Sequence, residues 1–162
     1  MTIVNNTIYG HSNCLFVRWS GASNMALANN ALYCPGTTAV NGAGLTGTSI
    51  SLSSNYVEGG MAGATVDGSR FVGGGSSVSA FSSPAQLDFW PPPSSILIGK
   101  ADTASVPTID FNERARVSPF DVGAYETDGL AANPGWKVGP GFKQIGLAES
   151  LPPVAPMNLR VQ

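Results

Sequence analysis

The stretch Val4–Tyr9, with the sequence VNNTIY, decides the fold because it returns as Ala28–Tyr33, with the sequence ANNALY, at an offset of 24 residues. A third, weaker copy is Ser53–Val57, in which Asn55 follows Asn30 by 25 residues. Short apolar runs between Gly, Ser and Asn turns, repeated at this length, are typical of a solenoid. The spacing therefore predicts an all-β fold, a right-handed parallel β-helix (solenoid) of about two to three coils followed by an irregular C-terminal closing segment.

Three asparagines, Asn6, Asn30 and Asn55, recur with this repeat. At one corner of successive coils, each side-chain amide can donate a hydrogen bond to the next, which satisfies polar groups that a tight corner leaves unpaired. Asparagine also tolerates the left-handed backbone that a corner requires. We expect a structural asparagine ladder; the alternative is that Asn-Asn only marks a turn.

The composition bears on the choice of partners. The chain has 162 residues, of which 11% are charged, and a formal net charge of −2. Nucleic acids and anionic membranes both attract clusters of Lys and Arg, so we expect neither as a partner. No apolar run reaches the ~18 residues of a membrane-spanning helix, so no membrane insertion is expected. The N-terminal segment lacks a signal-peptide pattern and reads as the middle of a strand, so we expect the native chain to begin upstream.

The organisation of the chain follows from where the repeat fades. Residues 1–72 are predicted to hold the parallel β-helix coils. Residues 73–127 are rich in glycine and proline, and we expect them to form an irregular closing segment packed on the coils. Residues 128–162 are predicted to be an extended tail or linker.

Three stretches carry a family resemblance: Pro93–Asp102, Asp110–Arg116 (DFNERAR) and Asp121–Glu126 (DVGAYE). Together with the Asn-Asn strands, they resemble the C-terminal part of secreted bacterial right-handed parallel β-helix proteins. The resemblance implies a location outside the cell or on its surface, and an association with polysaccharides. The tail beyond Pro156 resembles a linker that enters a fibronectin type III module.

The acidic residues crowd into the same C-terminal stretch. Asp110, Asp121 and Glu126 are candidate catalytic residues, because glycoside hydrolysis needs two carboxylates and the family includes polysaccharide lyases and glycoside hydrolases. The alternative is structural: the carboxylates accept hydrogen bonds from Arg114, Arg116 and backbone amides, and pin the closing segment onto the coils. We favour the structural role and a protein that is not an enzyme.

Three tryptophans, Trp19, Trp90 and Trp136, are candidate contacts for sugar rings, with Arg18 beside the first of them. An exposed indole can stack on the apolar C–H face of a sugar, whereas a buried one packs beneath a loop. We therefore predict a polysaccharide-binding or adhesive fragment. The rivals are a polysaccharide lyase or glycoside hydrolase, and a purely structural protein that associates end to end through the strand edge of Met1–Tyr9.

No pattern in the sequence indicates a cofactor. The single histidine, His11, belongs to no metal or catalytic motif, and no acid precedes Glu58, so a calcium site has no support there. The two cysteines, Cys14 and Cys34, are compatible with a disulfide or with buried free thiols. We expect the free thiols.

Overall fold

The computed structural model of the chain describes residues 2–16, 24–42, 50–62, 71–73, 75–136 and 138–139. The strands of these residues are, in chain order, β1 (Thr2–Val4), β2 (Thr7–Tyr9), β3 (Leu15–Phe16), β4 (Met25–Ala28), β5 (Ala31–Asn41), β6 (Ile50–Ser53), β7 (Asn55–Ala62) and β8 (Phe71–Gly73). The helical segments are one short α-helix, α1 (Ser77–Ala80), and two 3-10 turns, Pro84–Gln86 and Thr103–Ser105. The described secondary structure is therefore mostly β-strand, and none of its helices is long and apolar enough to cross a membrane.

The described strands form two parallel sheets. The first has the order β1-β4-β6, and the second has the order β2-β5-β7-β8, with β3 also paired to β5. Thr2 lies opposite Ala26 in the first sheet, and Thr7 lies opposite Ala31 in the second. The repeated sequence is thus in register with itself, because equivalent residues of successive repeats face one another.

The prediction of a right-handed parallel β-helix is wrong. A triangular coil needs a corner after Tyr33 and a third face, but β5 runs without interruption from Ala31 to Asn41 and stays in one sheet. A register shift between Tyr33 and Thr38 absorbs the Pro35-Gly36 pair, where Gly36 has a φ of 75°. Such an irregularity bends a strand without ending it. The described strands therefore form two small sheets and not the wall of a solenoid.

The second half of the described chain adds no further sheet. Residues 75–136 contain the short helical segments and two isolated antiparallel bridges, Ser83 with Asp88 and Ile109 with Ala115. The division of the chain into residues 1–72, 73–127 and 128–162 stays a prediction.

The chain passes from one sheet to the other through a residue with left-handed backbone. The φ angle is 52° at Asn5, 58° at Asn29 and 48° at Ser54. Asparagine reaches this conformation more easily than most residues, because its short side chain makes local hydrogen bonds. This preference explains the first asparagine of each Asn-Asn pair.

The second asparagines, Asn6, Asn30 and Asn55, are joined by hydrogen bonds and are called the asparagine row here. The side-chain amide of Asn6 donates to Oδ1 of Asn30 at 3.0 Å, and that of Asn30 donates to Oδ1 of Asn55 at 2.9 Å. Each of these acceptors also receives the backbone N–H of the preceding member, at 3.0 and 3.1 Å. The row links the three repeats at one corner.

Two apolar clusters bury the faces of the sheets. One lies among the strands and contains Leu27, Leu32, Cys34, Ala39, Val40 and Val57. The other joins the second sheet to the closing segment and contains Ala31, Tyr33, Ala80, Phe81, Leu97 and Val122. Alternate residues of β5 point to opposite faces, so Leu32 enters the first cluster while Ala31 and Tyr33 enter the second.

The backbone around Gly123 docks on the asparagine turns. The side chain of Asn5 donates to the carbonyl oxygens of Asp121 and Gly123, at 3.1 and 3.3 Å. Gly123 donates its N–H to the carbonyl of Asn29 at 2.8 Å, and a Cβ at this position would lie 2.7 Å from Oγ1 of Thr7. This close approach and a φ of 94° both require glycine.

Cys14 and Cys34 form a disulfide, with their Cα atoms 5.9 Å apart. The expectation of free thiols is therefore wrong. β2 pairs with the start of β5 and β3 with its far end, and both run parallel to it. The segment that joins β2 to β3 brings Cys14 beside Cys34 of the neighbouring repeat, a contact that the spacing of the two cysteines alone does not reveal.

Candidate functional site

Asp110 holds the loop that follows it. Its Oδ1 accepts the backbone N–H of Asn112 at 2.8 Å and that of Arg114 at 2.9 Å. Its Oδ2 accepts the backbone N–H of Glu126 at 3.0 Å. Both oxygens of this candidate acid are thus occupied by backbone donors.

Asp121 has the same kind of environment. Its Oδ1 accepts the N–H of Gly99 at 2.8 Å, and its Oδ2 accepts the N–H and the hydroxyl of Thr127 at 2.8 and 2.7 Å. The residue is almost completely buried. Charged acceptors with several backbone donors make strong hydrogen bonds, so Asp121 fixes two separate loops at one point.

Arg116 and Glu126 form a buried ion pair. Nη1 of Arg116 donates to Oε2 of Glu126 at 3.2 Å, and Nη2 donates to the carbonyl oxygen of Gly123 at 2.8 Å. Oε2 of Glu126 also accepts the N–H of Asp121 at 3.2 Å. Burial raises the pKa of the Glu126 carboxyl to about 7 in spite of these donors, because the ionised form has lost its water.

These carboxylates leave little room for a substrate. Asp121 and Glu126 line a cavity of about 170 Å³, yet they are only 1% and 2% exposed. A glycoside hydrolase needs two carboxyl groups that face the scissile bond and the attacking water or sugar. The occupied oxygens suit the structural role better than the catalytic one. Arg114 contributes to the same segment, since it donates to the carbonyl of Glu126 at 3.2 Å.

The predicted sugar-binding residues divide into three groups. Trp90 is 0% exposed, and its indole N–H donates to the carbonyl of Leu130 at 3.3 Å, so its ring packs in the interior and presents no face to a sugar in this structure. Arg18 and Trp19 lie outside the described residues. Trp136 is 39% exposed, and it is the predicted contact that the structure places at the surface.

Two asparagines hold the loop of Trp136. The N–H of Trp136 donates to Oδ1 of Asn112 at 3.0 Å, and the side chain of Asn133 donates to the carbonyl of Trp136 at 3.0 Å. The two asparagines are themselves joined, since Nδ2 of Asn112 donates to Oδ1 of Asn133 at 2.9 Å. A Cβ at Gly135 would clash with the Asn112 side chain, so a larger residue there would displace the asparagine that holds the loop. The indole is therefore presented by a defined loop.

Phe111 and Asn133 connect this indole to two cavities. The ring of Phe111 and that of Trp136 are arranged edge to face, with centroids 6.0 Å apart. Asn133, which holds the Trp136 loop, lines a cavity of about 490 Å³, and Phe111 lines a second cavity of about 180 Å³; Val138 lines both. We call this surface the Trp136 face; its residues are Ser83, Gln86, Leu87, Asp88, Phe111, Ala132, Asn133, Trp136 and Val138.

The sequence did not single out Gln86, Asp88, Asn112 or Asn133 as site residues. The amides of Asn112 and Asn133 come from separate loops 21 residues apart, and no periodicity connects them. A usable signal was the Asn-Pro-Gly-Trp turn, in which Oδ1 of Asn133 accepts the N–H of Gly135 at 3.0 Å. An asparagine that begins such a turn commonly makes this bond.

No group of three or more metal-binding side chains is found among the described residues. His11 is exposed, and its ring lies 6.5 Å from that of Tyr9 in an edge arrangement. The prediction of a protein without a cofactor stays a prediction, as does the family resemblance. Comparisons with protein-family models, with curated proteins and with solved structures found no match to this chain.

Proposed function

We propose that the chain binds a polysaccharide on the Trp136 face and acts as the carbohydrate-binding part of an extracellular protein. The observation that carries this proposal is the 39% exposure of Trp136, whose loop is held by Asn133, a residue that also lines a cavity of about 490 Å³ with polar and apolar groups. A sugar ring presents apolar C–H groups on its faces and hydroxyls around its edge. An indole covers the first, and amide or carboxylate groups bind the second.

The lining of the larger cavity has the required chemistry. Gln86, Asp88 and Asn133 supply donors and acceptors, while Leu87 and Val138 supply apolar surface. A concave site with mostly apolar walls and a few fixed polar groups is the usual form of a small-ligand site in proteins. The fixed loop of Trp136 lowers the entropic cost of binding, because the indole needs little ordering when a ligand arrives.

An extracellular location is part of the same proposal. The disulfide between Cys14 and Cys34 supports it, since disulfides persist in oxidising compartments and are rare in the cytosol. The low net charge also suits a ligand that is neutral or weakly charged.

Catalysis has weaker support and is not proposed. Asp110, Asp121 and Glu126 all use their carboxylate oxygens to hold the backbone of the closing segment. An acid buried in this way cannot approach a glycosidic oxygen without first breaking the loops that it holds.

The test is affinity electrophoresis and pull-down on a panel of soluble and insoluble glycans, with Trp136→Ala as the variant. Removal of a central tryptophan typically costs about 2 kcal/mol of binding energy, or roughly 30-fold in affinity. Phe16→Ala is the matched control, because Phe16 is also a half-exposed aromatic but lies on β3, outside the Trp136 face.

We expect retention on at least one glycan by the unchanged protein and by Phe16→Ala, and loss of retention by Trp136→Ala. Retention on none of the glycans, or equal retention of both variants, would contradict the proposal. Release of reducing ends or of unsaturated uronates by the unchanged protein would favour the hydrolase or lyase alternative instead.

A further inference from the structure

The outer edges of β1 and β2 are unpaired within the part of the chain that the structure describes. β4 and β5 each have a neighbour on both sides, whereas β1 pairs only with β4 and β2 only with β5. Thr2 and Asn6 are exposed along this edge. A free strand edge offers backbone groups to another strand, and it can be used for binding.

The asparagine row has a direction that makes this edge specific. Oδ1 of Asn30 accepts both the N–H and the side-chain amide of Asn6, and Oδ1 of Asn55 accepts the same two groups of Asn30. Each member therefore offers its Oδ1 to the member that precedes it. Asn6 is the first, and within the described residues no donor reaches its Oδ1. Its side chain is held in place, because Nδ2 donates to the carbonyl of Val4 at 3.0 Å.

The backbone of β1 adds a donor on the same side. The N–H of Asn5 donates to the carbonyl of Ala28 at 3.1 Å, so it points towards β4. Backbone groups alternate in direction along a strand, so the N–H of Val4 points the opposite way, to the unpaired edge. The edge also has apolar surface that a further strand would cover. Ile3 and Ile8 are only partly buried, while their register partners Leu27 and Leu32 are fully buried.

We propose that this edge receives an extended segment of a partner polypeptide as an additional parallel strand, and that the segment carries the Asn-Asn pattern of Ala28–Tyr33. In this arrangement, an asparagine of the partner donates its N–H and its side-chain amide to Oδ1 of Asn6. The partner asparagine then makes to Asn6 the same two hydrogen bonds that Asn6 makes to Asn30 and that Asn30 makes to Asn55.

Hydrogen-bond complementarity favours such a partner over a second copy of the chain that meets this edge by its own β1 edge. Two copies that meet by this same edge are related by a two-fold axis, so their β1 strands run antiparallel. This arrangement brings the two Oδ1 acceptors of Asn6 to equivalent positions and supplies neither with the donors of the row. A parallel strand with asparagine at the matching position supplies both.

The test is fluorescence anisotropy with a labelled synthetic peptide of the sequence of residues 25–33, MALANNALY. The matched control peptide has Asn30→Asp, which replaces the donating amide by a carboxylate. We expect saturable binding of the first peptide and at least about tenfold weaker binding of the second, because Oδ1 of Asn6 is then buried against a carboxylate in place of a donor.

Two variants of the protein locate the binding edge. Val4→Pro removes the outward N–H of β1 and keeps the inward bonds to β4, and Asn6→Ala removes the acceptor at an exposed position. We expect each variant to weaken peptide binding at least about tenfold, with a circular dichroism spectrum like that of the unchanged protein. If Val4→Pro does not fold, Asn6→Ala decides the question.

Three results would overturn the proposal: no binding of either peptide, equal binding of the two peptides, or unchanged binding by the folded variants. The last result would mean that the peptide exchanges with the chain's own strands. Light scattering tests a fourth result that would also overturn the proposal. If the unchanged protein is a dimer and Val4→Pro is a monomer, a second copy of the chain occupies the edge. Glycan retention through Trp136 is measured separately, so the two proposals can fail independently.

Discussion

The buried pair Arg116–Glu126 gives the stability of the protein a pH dependence that can be calculated. Burial raises the pKa of Glu126 from 4.5 to about 7, against the opposing effect of the Asp121 N–H and the Arg116 guanidinium. At about 1.4 kcal/mol for each pKa unit, this difference amounts to about 3 kcal/mol. Between these two values the folded protein holds a proton that the unfolded chain releases, so the free energy of unfolding falls as the pH rises.

Glu126→Gln removes this dependence while it keeps an oxygen that can accept from Arg116 Nη1 and from the Asp121 N–H. The amide is neutral at every pH and resembles the protonated carboxyl. We therefore expect the stability of the variant relative to the unchanged protein to increase by about 3 kcal/mol from about pH 4 to about pH 8. The two proteins differ only at position 126, so the difference between their stabilities reports on this carboxyl.

The measurement is urea unfolding at a series of pH values, followed by tryptophan fluorescence. Trp90 is a suitable probe because it is fully buried and its ring lies 5.5 Å from that of Tyr125. A relative stability that stays constant or falls as the pH rises would refute the argument, since it would show that the carboxyl of Glu126 is not desolvated in the folded state.

Two further predictions concern stability. Asn30→Ala should lower the free energy of unfolding by about 3 kcal/mol, because it leaves buried partners of the asparagine row unsatisfied. Asn6→Ala should lower it clearly less, because Asn6 is exposed. Thermal unfolding measures both losses, and equal losses would count against the role of the row. Removal of the disulfide by Cys14→Ser with Cys34→Ala should cost about 3 kcal/mol, the value expected for a loop of 20 residues. The unchanged protein under a reducing agent should show a similar loss, and an unfolding midpoint that a reductant leaves unaltered would contradict the prediction.

Part of the candidate site was readable from the sequence, and part was not. The sequence predicts both Trp136 and Trp90 as sugar contacts, because both lie in similar loop-like stretches: Trp90 precedes Pro91, and Trp136 follows Pro134-Gly135. Their difference is one of packing: Trp90 meets Tyr125 and is 0% exposed, while Trp136 meets Phe111 and is 39% exposed. Burial depends on contacts between distant segments, and no local pattern encodes them.

What the sequence by itself determined is the parallel register of the repeats. The offset of 24 residues between VNNTIY and ANNALY is enough to align Asn6 with Asn30, because parallel strands of a repeat pair equivalent residues. The tertiary structure alone decided that β5 continues through Pro35-Gly36 in one sheet, that Cys14 meets Cys34, and that the acids of the closing segment are buried acceptors. Each of these depends on whether the chain bends or turns at one point, and the small energy differences involved are settled by packing against the rest of the molecule.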